Sequence, residues 1–491
     1  MKVTLPFIKK LEVGEKHYIY DVNTNAFLRV DKRIFDRLTD ADSPEQDAAA
    51  MAPHSDAEIA DAQKNIDLMK EKGYLSGRRP KITFYHSTEK SEFRKSLMEF
   101  LTKRLNRITL GVTDSCNMRC RYCAYSGKYP YHRQHGNNSM THDTMRKAVD
   151  FYLKNSTEIT QKSISFYGGE PLLNYDLIYD CVQYVTREKG IQAEYNMTIN
   201  GTLLSAKRID FLAENNFSLL ISIDGPSEIH GRNRVFKNGK NSFNSIYNNL
   251  KLFKARYPEY YSRKIRFKLI LTPPLDFNAL NRFISDPAIR PASFSFSTVN
   301  AHYTSFFRQF NDSEMQRYHD KMGEKRNGYK WKLMTGEPID DIENAMFRKR
   351  FLNIHKRSAE KLPHLYPSHG QCTLGSRSLF VNVDGSFNFC TRIDDVYNLG
   401  NVNDGYDFNF IFKIYEDMDN FLSSRCYGCW AIQFCFKCIK DINKNGVLDG
   451  ETFNRYCQNQ KRIILSEMKD YIEIREHNSN ALDFLVDVEL I

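Results

Sequence analysis

The stretch ITLGVTDSCNMRCRYC, residues 108–123, joins a strand to a cluster of cysteines. Its first six residues are β-rich and predict a strand over 108–113, with the cysteines in the loop that follows. Further strands are predicted at SISFY (163–167), EYNMTI (194–199), SLLISI (218–223), IRFKLILT (265–272) and SFSFSTV (293–299). Helical patterns such as HDTMRKAVDFYLKN and AKRIDFLAENN lie between them. Strands alternating with helices imply a parallel sheet. Six of them predict an α/β fold, a partial (β/α)6 TIM-like barrel over residues 101–304. In such barrels the active site is built from the loops after the strand C-termini.

Cys116, Cys120 and Cys123 form a C-x3-C-x2-C triplet. Three thiolates so close in sequence can reach three corners of one small inorganic cube. A four-iron cluster takes four ligands, so three leave one iron open for chemistry. A zinc site with a distant fourth ligand is the alternative. The triplet, with aromatic Tyr122 before its last cysteine, resembles the signature of the radical S-adenosylmethionine (SAM) superfamily. The resemblance implies that the amino and carboxylate groups of SAM chelate the open iron. One electron then cleaves SAM to methionine and a 5′-deoxyadenosyl radical, which takes hydrogen from an unactivated carbon.

Later segments carry the same resemblance at the expected strand ends. Gly168, Gly169 and Glu170 follow SISFY, and two glycines allow a close backbone approach to a ligand. The family uses this motif to hold the SAM amino group. Asn200 ends the next strand, and Ser222 and Asp224 end the one after, with Arg234 a little later. With Tyr122, these are the implied cofactor-binding residues. Strand-end turn chemistry is the alternative for Asn200 and Ser222, and a surface ion pair for Arg234.

Of the 11 cysteines, seven more cluster late in the chain: Cys372, Cys390, Cys426, Cys429, Cys435, Cys438 and Cys457. With Gly385 ahead of Cys390, the spacing resembles the SPASM extension of radical SAM enzymes, except that the gap from Cys435 to Cys438 is one residue short. By that resemblance Cys426, Cys429, Cys435 and Cys457 hold a distal auxiliary cluster and Cys372, Cys390 and Cys438 a proximal one. Three 4Fe-4S clusters are thus expected. Seven cysteines do not supply eight ligands, so one auxiliary position is open or takes another ligand. Two zinc sites are the alternative, since C-x2-C pairs also suit zinc. Cys181 reads as a small buried hydrophobe on a helix. The segment from Asp441 to Glu451 is like a calcium loop but has Thr452 where the bidentate Glu belongs, and reads as a turn.

The remaining sequence bounds the reading. In 491 residues, 41% hydrophobic and 26% charged, no apolar run reaches the length of a membrane span, and residues 1–20 carry no secretory signal. A cytoplasmic protein is expected, and clustered cysteines in a reducing compartment bind metal or do redox chemistry. The net charge of +10 is spread without blocks, which gives nucleic-acid binding little support and is compatible with an acidic partner. Residues 1–100 have no cysteine and read as three strands and then helices, a winged-helix-like α+β module. Residues 305–370 read as a helical bridge, 371–460 as the SPASM domain and 461–491 as a closing helix.

The module resembles the PqqD-like peptide-recognition domain of ribosomal-peptide maturases, in which a leader peptide adds a strand to a sheet edge. The implied function is a maturase acting on a precursor peptide, forming an intrapeptide cross-link, in particular a thioether, with a reductant such as ferredoxin or flavodoxin. A carbon–carbon cross-link is the near alternative. A sulfatase-maturase-like oxidase forming formylglycine is another, but it places aspartate directly after the G-x4-C cysteine, where this chain has Thr391, with Asp394 and Asp395 further on. An iron–sulfur electron carrier is the non-enzymatic alternative. No catalytic residue is assigned.

Overall fold

Three strands open the chain: β1 (Ile8–Val13), β2 (Lys16–Asp21) and β3 (Ala26–Val30). They form an antiparallel sheet in the order β1-β2-β3, with turns at Gly14 and Asn25, both at positive φ. The computed structural model describes residues 5–42, 55–83, 89–129, 133–299, 304–367, 374–391 and 396–485. Cys372, Asp394, Asp395 and most of the loop read before the second helix lie outside them. Helices Lys32–Arg37 and Asp56–Glu71 back the sheet, the second started by a Ser55–Glu58 capping box. Ile8, Ile19, Ile34, Phe35, Ile66 and Leu75 close a small core of their own. The other face of this sheet joins the main core through Tyr18 and Tyr20.

A short β4 (Lys81–Thr83) leads to the large sheet. Its strands are β5 (Ile108–Thr113), β6 (Lys162–Gly168), β7 (Ala193–Ile199), β8 (Ser218–Ser222), β9 (Ile265–Leu271) and β10 (Ser293–Thr298), all parallel. Each matches a run read from sequence to within a residue or so. Beyond β5 the sheet continues into elements the sequence did not announce. After β11 (Leu365–Pro367), which pairs with β4, come β12 (Leu379–Val381), parallel to β5, and β13 (Phe387–Asn388), antiparallel to β12. The sheet order is β10-β9-β8-β7-β6-β5-β12-β13. The glycine of the G-x4-C motif, Gly385, is the turn of this hairpin at φ +88. The first part of the cysteine-rich segment is therefore an extension of the barrel sheet.

The two sides of the strands differ in kind. Ile164, Phe166, Met197, Ile199, Leu219, Ile221, Phe267 and Leu269 are buried, packed beneath crossover helices such as His142–Lys154 and Ala206–Glu214. Many of the alternate residues are polar. Thr109, Ser165, Asn196 and Ser218 stand in one register row across four strands. A barrel interior is normally filled by branched apolar side chains. Here the polar rows line a cavity of about 350 Å³, with Arg266 and Thr391 on its wall.

The bridge after β10 is helical, with Asp312–Thr335 its longest element. The C-terminal helix spans Gly450–His477, capped by Asp449. It starts earlier than expected and runs through the boundary read at residue 460, so Cys457 is helical. Asn445-Gly446 is the turn of a small hairpin, Asn443–Lys444 with Val447–Leu448. Among the described residues no helix is long and apolar enough to cross a membrane.

Candidate active site

The loop after β5 carries the first three cysteines and is tied to a distant segment. Arg119 and Arg121 donate backbone N–H bonds to the carbonyls of Val235 and Asn233, at 2.8 and 2.9 Å. Those two residues flank Arg234, so the cysteine loop and the arginine are held as one unit. Burial pushes the Cys116 thiol up to about 11 and that of Cys123 to about 12, and raises Cys120 as well. At neutral pH thiols raised in this way keep their protons until a cation displaces them. Among the described residues no three His, Cys, Asp or Glu side chains converge closely enough to hold a single metal ion. The three cysteines line a cavity of about 130 Å³.

Gly168 and Gly169 lie on the same wall, but their lack of a side chain answers a different need from the one read in sequence. A Cβ on Gly168 would sit 2.2 Å from the carbonyl oxygen of Thr113, and one on Gly169 2.2 Å from that of Ser115. Gly168 is at φ +134. The close approach is to the chain's own backbone, not first to a ligand. It lets Gly169 and Glu170 donate N–H bonds to Thr113 and Ser115, both at 2.8 Å. Glu170 is 1% exposed and burial pushes its carboxyl up to about 7. Its oxygens accept from the backbone N–H of Asn200 at 2.7 Å and of Leu172 at 3.3 Å.

Asn200 shows that turn chemistry and a place in the site go together. Its Oδ1 accepts from Thr202 N and Oγ1, at 2.9 and 2.7 Å, while its Nδ2 donates to Asn117 beside Cys116, at 2.8 Å. Arg234 is not a surface ion pair. It is 6% exposed, and its Nη1 donates to the Tyr122 hydroxyl at 3.0 Å. Tyr122 in turn donates to the Asp224 carboxylate at 2.5 Å. The Arg234 Nε is buried with no hydrogen-bond partner, on the cavity wall. A buried guanidinium with an unused donor is a ready partner for a carboxylate. Tyr122, Gly168, Gly169, Glu170, Asn200, Ser222 and Arg234 all line this one cavity with the three cysteines. Asp224 does not line it: its oxygens are spent on Tyr122 and on the backbone N–H of Ile270.

Two histidines were missed. His135 lines the cavity, stacked on Tyr125 at 5.8 Å, with its Nδ1 unpartnered. His230 is fully buried behind Arg234; its Nδ1 accepts from Asp224 N at 3.3 Å and its Nε2 meets Ser242 Oγ at 2.9 Å. Burial pushes His230 well down, so it is neutral. Isolated single histidines carry no periodic or spacing signal that could have marked them.

The later cysteines fall into two groups. Cys429 and Cys435 each lie within electrostatic reach of Cys426 and Cys457. Cys438 instead lies within electrostatic reach of Cys390. Cys181 is fully buried on helix Tyr175–Gln183, apart from both.

Residues 110–265 match the Radical SAM superfamily. The chain is 30% identical over 164 residues to the serine-type anaerobic sulfatase-maturating enzyme of Bacteroides thetaiotaomicron, a stretch covering 33% of this chain and 39% of that relative. It is 23% identical over 389 residues to the cysteine-type anaerobic sulfatase-maturating enzyme of Clostridium perfringens, covering 72% of this chain and 93% of the other. Its fold is similar to that of native anSMEcpe with bound AdoMet, with a TM-score of 0.54 at 18% identity over 78% of this chain and 100% of that one. The chain thus carries a radical SAM domain, and such a domain implies a 4Fe-4S cluster and SAM.

Replacing Cys116, Cys120 and Cys123 together by Ala is expected to abolish SAM cleavage and to lower the iron content by about four per chain. Chromatography of 5′-deoxyadenosine and iron quantitation check this. Cleavage that persists in the triple variant would refute the site.

Proposed function

We propose that this chain is a peptide maturase that forms an intrapeptide cross-link, in particular a thioether. In this reading Cys116, Cys120 and Cys123 hold the first cluster. Gly168, Gly169, Glu170, Asn200, Ser222 and Arg234 hold SAM: Glu170 takes the amino group, and the unused donor of Arg234 a carboxylate or hydroxyl. Tyr122 and Asp224 fix the arginine from behind. When bound, the pair supplies hydrogen-atom abstraction from an unactivated carbon. The polar bay next to this cavity shares Tyr167 and Thr198 with it and takes the peptide.

The observation that carries the choice of reaction is Thr391. It follows Cys390 directly and lines the bay, where a formylglycine-forming enzyme is expected to have an aspartate as base. A threonine hydroxyl does not serve as a base at neutral pH. The likeness to sulfatase-maturating enzymes supports formylglycine formation as the second reading. Cys426, Cys429, Cys435 and Cys457 are assigned to a distal auxiliary cluster and Cys372, Cys390 and Cys438 to a proximal one. A position without cysteine can take a substrate thiolate, since metals deprotonate thiols. Joining a C–H carbon to a thiol sulfur removes one hydrogen atom, plus one proton and one electron. The proton goes to solvent, and the electron goes to an auxiliary centre and on to a soluble one-electron carrier.

The product of the reaction with a short precursor peptide encoded beside the gene is expected to be about two mass units lighter per link, with one cysteine no longer open to alkylation. Mass spectrometry after alkylation reads both. A product two units lighter with every cysteine alkylatable would mean a carbon–carbon bond, and the larger loss that comes with departure of sulfur would mean formylglycine.

The N-terminal module is assigned to leader binding because β3 is an edge strand of its sheet, the geometry that strand addition needs. Hydrogen exchange on the full chain is expected to slow at the Ala26–Val30 amides when the precursor is added. Unchanged exchange there, with the peptide bound, would assign the module a structural role.

A further inference from the structure

The polar bay inside the barrel sheet carries charge of one sign. Arg107, just before β5, and Arg266, on β9, stand on its wall, and none of its lining residues is Asp or Glu. The two arginines come from opposite sides of the row Thr109, Ser165, Asn196 and Ser218. Glu194, two residues before Asn196 on β7, is exposed and does not line the bay. Neither arginine is neutralised. Arg107 spends its Nε on Ser163 Oγ at 3.0 Å, a neutral partner. Among the described residues the Arg266 side chain makes no hydrogen bond and no ion pair. On the outside of the same domain, exposed arginines do find carboxylates: Arg104 pairs with Glu158, and Arg256 with Asp210 at 2.6 Å.

We propose that the bay binds a carboxylate of the substrate peptide through Arg266, with Arg107 adding positive potential, so that the peptide carries an acidic residue or its C-terminus close to the residue that is modified. The inference rests on the reading of the bay as the peptide site. A guanidinium with all its donors unused offers a fork of parallel N–H groups that matches a carboxylate. The neutral hydroxyls and amide of the row between the arginines are left to bond the amides of the peptide. The net charge of +10 draws the same kind of partner at longer range. Arg234, the cation of the neighbouring cavity, does not line the bay, so the two cavities have separate anion partners.

The test is calorimetric titration of the reconstituted full-length chain with capped peptides: acetyl-Gly-Glu-Gly-amide, acetyl-Gly-Gln-Gly-amide, and acetyl-Gly-Gln-Gly with a free C-terminal carboxylate. At least one of the acids is expected to bind about tenfold tighter than the uncharged peptide, the worth of one charge-assisted hydrogen-bonded pair. Which acid does so tells a side-chain carboxylate from a chain terminus. Arg266→Gln is expected to bring the ratio to within about twofold, the range of a screened surface contact. Arg266→Lys, which keeps the charge but not the fork, is expected to retain part of it. Equal affinity for all three peptides overturns the proposal, and so does a preference that survives in Arg266→Gln. Cross-linking of a precursor by a chain that binds the three peptides alike removes this proposal and leaves the maturase reading. A preference that depends on Arg266, in a chain that links no peptide, does the reverse.

Discussion

Two backbone hydrogen bonds hold the site together: Gly169 N–H to Thr113 and Glu170 N–H to Ser115, both at 2.8 Å. They bring the end of β6 against the start of the cysteine loop at a distance that no side chain permits, since a Cβ on either glycine would lie 2.2 Å from a carbonyl oxygen. The next tie is the Glu170 carboxylate, which reaches Asn200 at the end of β7. Asn200 then reaches back to Asn117 beside Cys116. Three adjacent strand ends are thus laced together. Arg234, arriving from beyond β8 with its backbone neighbours bonded to Arg119 and Arg121, closes the far side. The wall of the cavity is one connected hydrogen-bonded object, and that rigidity is what a reactive centre requires of its first layer of residues.

Two attachments of the cysteine-rich segment bear on the site. Its hairpin adds strands to the barrel sheet next to β5, which sets Thr391 on the polar bay. Its later loop carries the N-terminal module. Gln433 donates to the Val22 carbonyl at 2.6 Å, Phe434 packs on Tyr20 at 5.4 Å and Trp430 donates to the Asp42 carboxylate. The segment assigned to leader binding therefore rests directly on the loop from Cys426 to Cys438, so these two regions share one interface.

The barrel was legible because period-two alternation is a strong signal over five or more residues: SISFY and IRFKLILT show it plainly. β12 and β13 are three and two residues long around a glycine turn, too short for any period. The residues of the cysteine loop and the Gly-Gly-Glu turn that line the cavity could be picked out from residue type and position. Their supporting roles could not. That Asp224 stands behind Tyr122 rather than facing the cavity depends on a contact across 102 residues, and that Gly168 exists for Thr113 depends on a strand pairing. Residue identity names the groups; only topology says which of them faces the ligand and which holds its neighbour.

The central claim is that one cavity, walled by the three cysteines, Glu170, Asn200, Ser222 and Arg234, holds an open-iron cluster and SAM together. Pulsed electron–nuclear double resonance on the reduced full-length chain, with SAM carrying a nitrogen-15 label at its amino group, tests it directly. The account predicts a strong nitrogen coupling to a cluster signal that disappears in the Cys116, Cys120 and Cys123 triple variant. Bound SAM without such a coupling, or a coupling that survives in the triple variant, would contradict it.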